Sequence, residues 1–252
     1  MTFKIAVHSF KGGTGKSTIT ANIAALLASS GRSVGVVDLD LAGPGLHVIY
    51  QLDRDIRYTL NDVLLKRCKP TDPIIDLTKK LGIKNGKLLF VPASYKAEDI
   101  VQVLAEGYEV ASFRAMLESA MQSYNLDYLI VDTHPGIEKS TLLSIGVCDV
   151  LLLITRLDSQ DLFGTSVIRE IARTLHKPEI LVANMIPPGI DSDKLQERLQ
   201  TVFPEAPFAA IPFYNDVLRS LSSSVFVLNN PEHEFASKLL PILSQLQLAP
   251  RQ

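Results

Sequence analysis

Paired cysteines are missing from this sequence: Cys68 and Cys148 are its two, far apart and in no CxxC arrangement. That leaves no framework for a disulfide scaffold, a zinc ribbon or a cluster held by paired thiols. Cys148 lies in the apolar run from Ile145 to Ile154 and reads as a small buried hydrophobe. An excess of either charge is missing too. With 25 Lys and Arg against 27 Asp and Glu, the net charge is −2. The electrostatic footprint of a nucleic-acid binder is therefore absent, unless a local basic face hides within the balance. No stretch reaches the ~18 uninterrupted apolar residues of a membrane span. Met1 to Val7 leads into His8 and Lys11 without an export-signal pattern, so a cytoplasmic chain is expected. No internal repeat, low-complexity tract or long Pro/Gly/Ser linker divides the sequence, and residues 1–252 are expected to form a single domain.

What is present suits a packed core: 46% of the 252 residues are hydrophobic and 21% are charged. Short apolar runs alternate with longer amphipathic segments, the pattern of βαβ units that build a mostly parallel sheet covered on both faces. Strands are predicted over Lys4–Ser9, Ser33–Val37, Lys87–Val91, Asp127–Asp132, Val150–Thr155, Glu179–Asn184 and Pro207–Ile211. Helices are predicted over Lys16–Ser30, Thr59–Lys66, Ala97–Tyr124, Ser140–Ile145, Asp161–Leu175, Asp191–Val202, Asn215–Leu221 and Glu232–Leu246. The fold class expected is α/β, a three-layer α/β/α sandwich around a phosphate-binding loop.

That loop is the segment from Val7 to Thr18, between the first strand and the first helix. Gly12, Gly13 and Gly15 let the backbone turn tightly and aim N–H groups inward, while the helix adds its positive N-terminal end. Lys16 would reach the β and γ phosphates of a nucleotide, and Ser17 would offer a hydroxyl to Mg²⁺. The expected nucleotide-binding set here is Gly12, Gly13, Thr14, Gly15, Lys16, Ser17 and Thr18. The strict GxxxxGK[ST] pattern is not met, because its first glycine falls at Phe10.

With the additional Lys11, the segment Lys11-Gly-Gly-Thr-Gly-Lys-Ser17 resembles the deviant Walker A motif, KGGxGK[ST], of the MinD/ParA family of ATPases. The resemblance implies that Lys11 reaches across a nucleotide-sandwiched dimer to the phosphates held by the partner subunit. A second cation there stabilises transition-state charge and ties hydrolysis to association. Without the surrounding glycines, Lys11 would read as a solvated loop lysine.

Val34 to Asp40 ends the second strand with carboxylates at i and i+2, side chains that point the same way in an extended segment. Paired aspartates at a strand end also serve as turn formers. The segment looks like the family's switch I, which assigns Asp40 to orienting the attacking water and Asp38 to supporting Mg²⁺. Leu129 to Gly136 resembles Walker B and switch II, which assigns Asp132 to Mg²⁺ and Gly136 to the γ-phosphate. Many relatives read Asp-Ser-Pro-Ala-Gly there, whereas this chain has His134 before Pro135. His134 is either a contact to the γ-phosphate or partner subunit, or a loop histidine with a structural or solvent role.

For the base, Asn184 ends a late strand with a side chain able to donate to and accept from the edge of adenine. Relatives use an asparagine at this place. Pro212 and Phe213 are expected as walls, although Phe213 reads equally well as core.

The resemblance runs from Lys4 to about Leu246. It implies an ATPase using ATP and Mg²⁺, homodimeric when ATP-bound, slow without an activating protein partner, and serving cell division, partition or placement of a complex. The tail from Phe235 to Gln252 carries only Lys238 and Arg251 as basic residues, so it reads as a helix packed on the domain rather than a membrane anchor. Peripheral membrane association is thereby only weakly supported. From Asp191 onward five Lys/Arg face seven Asp/Glu, which argues against strong nucleic-acid binding. Two other readings stay open: a regulator that binds ATP without hydrolysing it, and an ATP-dependent cofactor or metal-insertion enzyme on the same fold. The last class usually carries paired cysteines or an added ligase domain.

Overall fold

Successive strand side chains point to opposite sides of a sheet, so central strands that are apolar throughout must be covered on both faces. The computed structural model describes residues 1–52, 56–204 and 206–249. Among these, eight strands form one sheet: β1 (Phe3–His8), β2 (Ser33–Leu39), β3 (Ile75–Asp76), β4 (Lys87–Val91), β5 (Tyr128–Thr133), β6 (Val150–Thr155), β7 (Glu179–Ile186) and β8 (Phe208–Pro212). Their order is β3-β4-β2-β5-β1-β6-β7-β8, and β3 with β4 is the antiparallel pair in an otherwise parallel ladder.

The helices are α1 (Lys16–Ser29), α2 (Leu46–Ile49), α3 (Leu60–Leu64), α4 (Ala97–Glu106), α5 (Val110–Tyr124), α6 (Lys139–Val147), α7 (Ser159–Thr174), α8 (Ser192–Val202), α9 (Asn215–Arg219), α10 (Phe226–Asn229) and α11 (Glu234–Leu248). Strand alternation sorts the apolar side chains into two cores. Ile5, Val36, Ile130 and Leu152 pack with Ile19 and Ile23 of α1 and Leu239 and Ile242 of α11. Ala6, Val37, Val131 and Leu153 pack on the opposite face with Phe113 of α5, Ile168 of α7 and Leu199 of α8. Each such fully buried aliphatic side chain contributes ~1.5–3 kcal/mol. The three-layer α/β/α architecture expected from the sequence is the one found.

Some boundaries differ. The single helix predicted over Ala97–Tyr124 is two helices, α4 and α5, because Gly107 takes φ 71 and returns its N–H to the Val103 carbonyl, ending α4. The short elements β3, α2 and α10 were not predicted, being too brief for any periodicity to register. Strand β2 continues through Leu39, so Asp38 belongs to the sheet itself. The C-terminal segment forms α11, which packs on β8 and buries Phe235, Leu239, Ile242 and Leu246. Arg251 lies outside the described residues. Among the described residues no helix is long and apolar enough to cross a membrane.

The strand order positions the site. β1 runs between β5 and β6, and β5 also pairs with β2, so the carboxyl ends of these strands open on one edge beside the glycine-rich loop. In register, Asp132 lies opposite both Val7 and Asp38.

Candidate functional site

The loop enters α1 through Gly15, whose φ of 87 belongs to the left-handed region, as does Gly13 at 73. A Cβ on Gly15 would run into the Asn184 amide, so backbone and neighbour both demand glycine. Lys16 opens α1 and is only 6% exposed, its Nζ 3.0 Å from Asp132 Oδ1. Ser17 Oγ donates to Asp132 Oδ2 at 2.6 Å, and Thr20 Oγ1 donates to Oδ1 at 2.9 Å. Asp132, at the end of β5, thus gathers three groups from one helix face. Thr20 was missed from the sequence. Its spacing, four residues beyond Lys16, is the signal that would have found it.

Asp38 faces Asp132 from β2. Its oxygens accept from the backbone N–H groups of Asp40 (3.1 Å), Gly45 (3.3 Å) and Leu46 (3.2 Å), bracing the loop that follows. Burial pushes its carboxyl up to about 7, and the neighbouring charges of Asp132 and Asp40 push the same way, against Lys16 and the Leu46 N–H. Asp40 turns to other partners. Its Oδ1 accepts from Gly43 N at 3.0 Å and meets His134 Nδ1 at 2.6 Å. The Nε2 of His134 is 3.8 Å from Glu138 Oε1. The i, i+2 aspartates therefore both brace the loop after β2, and Asp40 alone also meets the segment after β5.

Gly136 N donates to the Ser9 carbonyl at 3.0 Å, fastening the segment after β5 to the glycine-rich loop. Beneath it, His8 is fully buried with Nδ1 2.5 Å from Thr133 Oγ1. Because the Thr133 hydroxyl donates to the Val7 carbonyl at 3.0 Å, the His8 Nδ1 is the donor of the pair. Burial first, then the Lys16 charge, hold this imidazole down to about 3, so it is neutral at physiological pH.

Lys11 does not join the Lys16–Asp132 group. Its Nζ donates to Asp158 Oδ1 at 3.0 Å and Gln160 Oε1 at 2.8 Å, at the start of α7. Asp158 is also the N-cap of that helix, accepting from Asp161 N at 3.0 Å. Sequence reasoning missed Asp158 and Gln160, since no local pattern announces that β6 lies beside β1.

A cavity of about 180 Å³ adjoins the loop, and Gly15, Thr18, Asn184, Met185, Pro212 and Phe213 contribute to its lining. Asn184 Nδ2 donates to the Thr14 carbonyl at 2.7 Å, which ties the end of β7 to the loop. The strand shifts register against β8 between Ala183 and Ile186, with Met185 at φ 55. Thr18, Asn184 and the adjacent Pro212 and Phe213, from three separate stretches of sequence, thus share one pocket, and Phe213 is 38% exposed rather than core. The two cysteines take no part: burial pushes Cys148 up to about 12 and Cys68 up to about 11. Among the described residues no group of three or more His, Cys, Asp or Glu side chains could hold a metal ion.

Chemically, the arrangement is a cationic, N–H-rich loop beside two oxygen donors and an apolar slot. Such a surface is chemically suited to a phosphate chain at the loop, a hard cation near Ser17 and Asp132, and a flat heterocycle in the slot. A family model described as ParA, NUBPL iron-transfer P-loop NTPase, matches residues 1–186. The chain is 34% identical over 160 residues to an uncharacterized ATP-binding protein of Methanocaldococcus jannaschii, covering 61% of this chain and 53% of the relative. It is 30% identical over 151 residues to the septum site-determining protein MinD of Thermotoga maritima, covering 60% and 51%. The matches span about half the length of these curated relatives. In fold it is similar to the structure of MinD complexed with Mg-ADP from Pyrococcus horikoshii, with a TM-score of 0.79 and 23% identity over 98% of this chain and 96% of that one.

Proposed function

We propose, because this chain belongs to the ParA family of P-loop NTPases, that it is a nucleotide switch: it binds ATP, pairs with a second copy across the nucleotide, and hydrolyses ATP to ADP and phosphate as it positions or regulates a protein partner. The observation that carries this reading is the convergence of Lys16, Ser17 and Asp132 at the N-terminus of α1. Ser17 and Asp132 offer the oxygen donors that Mg²⁺ prefers, and two protein oxygens suffice for an ion that keeps waters and takes phosphate oxygens. When bound, Mg²⁺ would neutralise developing charge on the phosphates.

In this proposal the loop amides of residues 12–17 and Lys16 hold the phosphates, while the Gly136 N–H, expected from the sequence to reach the γ-phosphate, stays on the Ser9 carbonyl and holds the segment after β5 against the loop. Asp40 orients the attacking water. Asn184 reads the base: with Nδ2 committed to Thr14, Oδ1 is the end available to accept from the C6 amine of adenine, where guanine carries a carbonyl that cannot donate. Pro212 and Phe213 wall the base, and Asp38 holds the switch loop next to the metal ligands. Lys11 leaves Asp158 and Gln160 to reach the partner's phosphates. That release has a low cost, because a partly exposed ion pair is worth only ~0.2–1 kcal/mol.

The test is phosphate release from MgATP under single-turnover conditions. Lys11→Ala and Asp40→Ala should each lower the rate at least ~10-fold, and wild-type rates in either variant would remove its assigned role. Pull-down of partners, with lipid and DNA co-sedimentation of the ATP-loaded protein, then identifies what the switch acts on. Iron transfer, which the family model's description raises, would need a cluster site, and neither Cys68 nor Cys148 has a second cysteine beside it in sequence.

A further inference from the structure

Asp40 and the phosphate loop stand on different segments, and a carboxylate that aligns a water must be fixed relative to the phosphates. The terminal torsion of an aspartate is broad, so one oxygen has to be tied if the other is to keep a direction. Asp40 is tied twice through Oδ1, by Gly43 N at 3.0 Å and His134 Nδ1 at 2.6 Å. Gly43 lies in Asp40's own loop and moves with it. His134 stands two residues past Asp132 on a segment that Gly136 fastens to Ser9 of the phosphate loop. The histidine is thus the side chain that references Asp40 to the frame holding the phosphates.

We propose that His134 is the positioning residue for Asp40: its Nδ1–H fixes Oδ1 and leaves Oδ2 directed at the attacking water. The contact is a short, charge-assisted hydrogen bond, and in it the acceptor is a carboxylate, so the proton sits on Nδ1. Glu138 Oε1 stands 3.8 Å from Nε2, beyond hydrogen-bond distance, which leaves the Asp40 contact as the one that orients the ring. One flank of the ring borders an apolar cavity of about 170 Å³ formed with Leu41, Val103 and Leu143. Removing the ring therefore enlarges an existing space rather than collapsing packed structure.

This inference rests on the ATPase reading above, and the test separates the two. Single-turnover phosphate release would be measured against MgATP concentration for wild type, Lys16→Ala, Asp40→Ala, His134→Ala, His134→Asn and His134→Gln, with thermal melts and MgATP binding recorded for each. The expected result is that His134→Ala lowers the maximal rate ~10-fold or more while half-saturation by MgATP changes less than about twofold. His134→Asn, whose amide N–H replaces Nδ1–H, should recover most of the rate. His134→Gln, whose amide falls nearer the Nε2 position, should not. Equal rates for wild type and His134→Ala would overturn the proposal, as would equal losses in the Asn and Gln variants or a loss confined to half-saturation. Should His134→Ala fail to fold, the Asn and Gln comparison alone decides. A wild type no faster than Lys16→Ala would sink the hydrolysis reading itself, and His134's role with it.

Discussion

Asp132 answers for most of the order at the loop's floor, and it does so with two oxygens. They accept the Ser17 and Thr20 hydroxyls and balance the Lys16 ammonium, whose side chain is 7% exposed. Removing one member of a buried pair leaves the other charged and unsolvated, which costs ~3–5 kcal/mol. Asp132→Ala is therefore expected to lose stability of that order in urea denaturation of protein prepared without nucleotide. A loss below about 1 kcal/mol would mean that water replaces the carboxylate and that the pair has no structural weight. Lys16, Ser17 and Asp132 were all readable in the sequence, because each ends or follows an apolar run at a fixed offset. Thr20 had only its spacing from Lys16 to mark it, and the carboxylate its hydroxyl serves lies 112 residues away.

Among the elements, α7 meets the phosphate loop through a glycine. Gly164 lies in the middle of the helix, where alanine would normally gain ~1 kcal/mol in helix propensity. A Cβ there would enter the Phe10 ring. Phe10 occupies the position at which the strict phosphate-loop pattern has its first glycine, so the room that pattern reserves in the loop is provided here by the facing helix. Overpacking costs ~1–3 kcal/mol, and Gly164→Ala is expected to lower stability in chemical denaturation despite its better propensity. In a Phe10→Ala background the same substitution should cost less than it does alone, and additive losses would show that the two residues do not interact. The departure at Phe10 was visible in the sequence. Its compensation was not, because α7 follows β6 and only the sheet order brings it beside the loop.

For the whole molecule, the expected output is a change of assembly. Lys11 sits at the surface, held by a weak pair at the start of α7, on the open edge of the sheet where the phosphates would lie. If the ATP-bound chain pairs across its nucleotide, Asp40→Ala should accumulate that state by blocking hydrolysis. Size-exclusion chromatography with light scattering is expected to give twice the monomer mass for Asp40→Ala with MgATP and the monomer mass without it. Adding Lys11→Ala should return the monomer in both conditions. An unchanged mass with MgATP would contradict a nucleotide-bridged dimer.

By itself the sequence determined the layered α/β class and the chemistry of the loop, because both are written in contiguous residues: apolar runs of strand length, and glycines, Lys16 and Ser17 within one strand-to-helix turn. The division of Ala97–Tyr124 at Gly107 was missed, since a single glycine ends one helix and is tolerated in another. Tertiary structure alone decided which side chains meet. It paired His134 with Asp40 across 94 positions and Lys11 with Asp158 across 147, and set Phe10 against Gly164. Parallel strands are joined by long crossovers, and their hydrophobic patterns are nearly alike, so no local signal fixes which strand lies next to which. The neighbours of β1 were settled by the packing of both sheet faces at once, and with them the surroundings of every site residue.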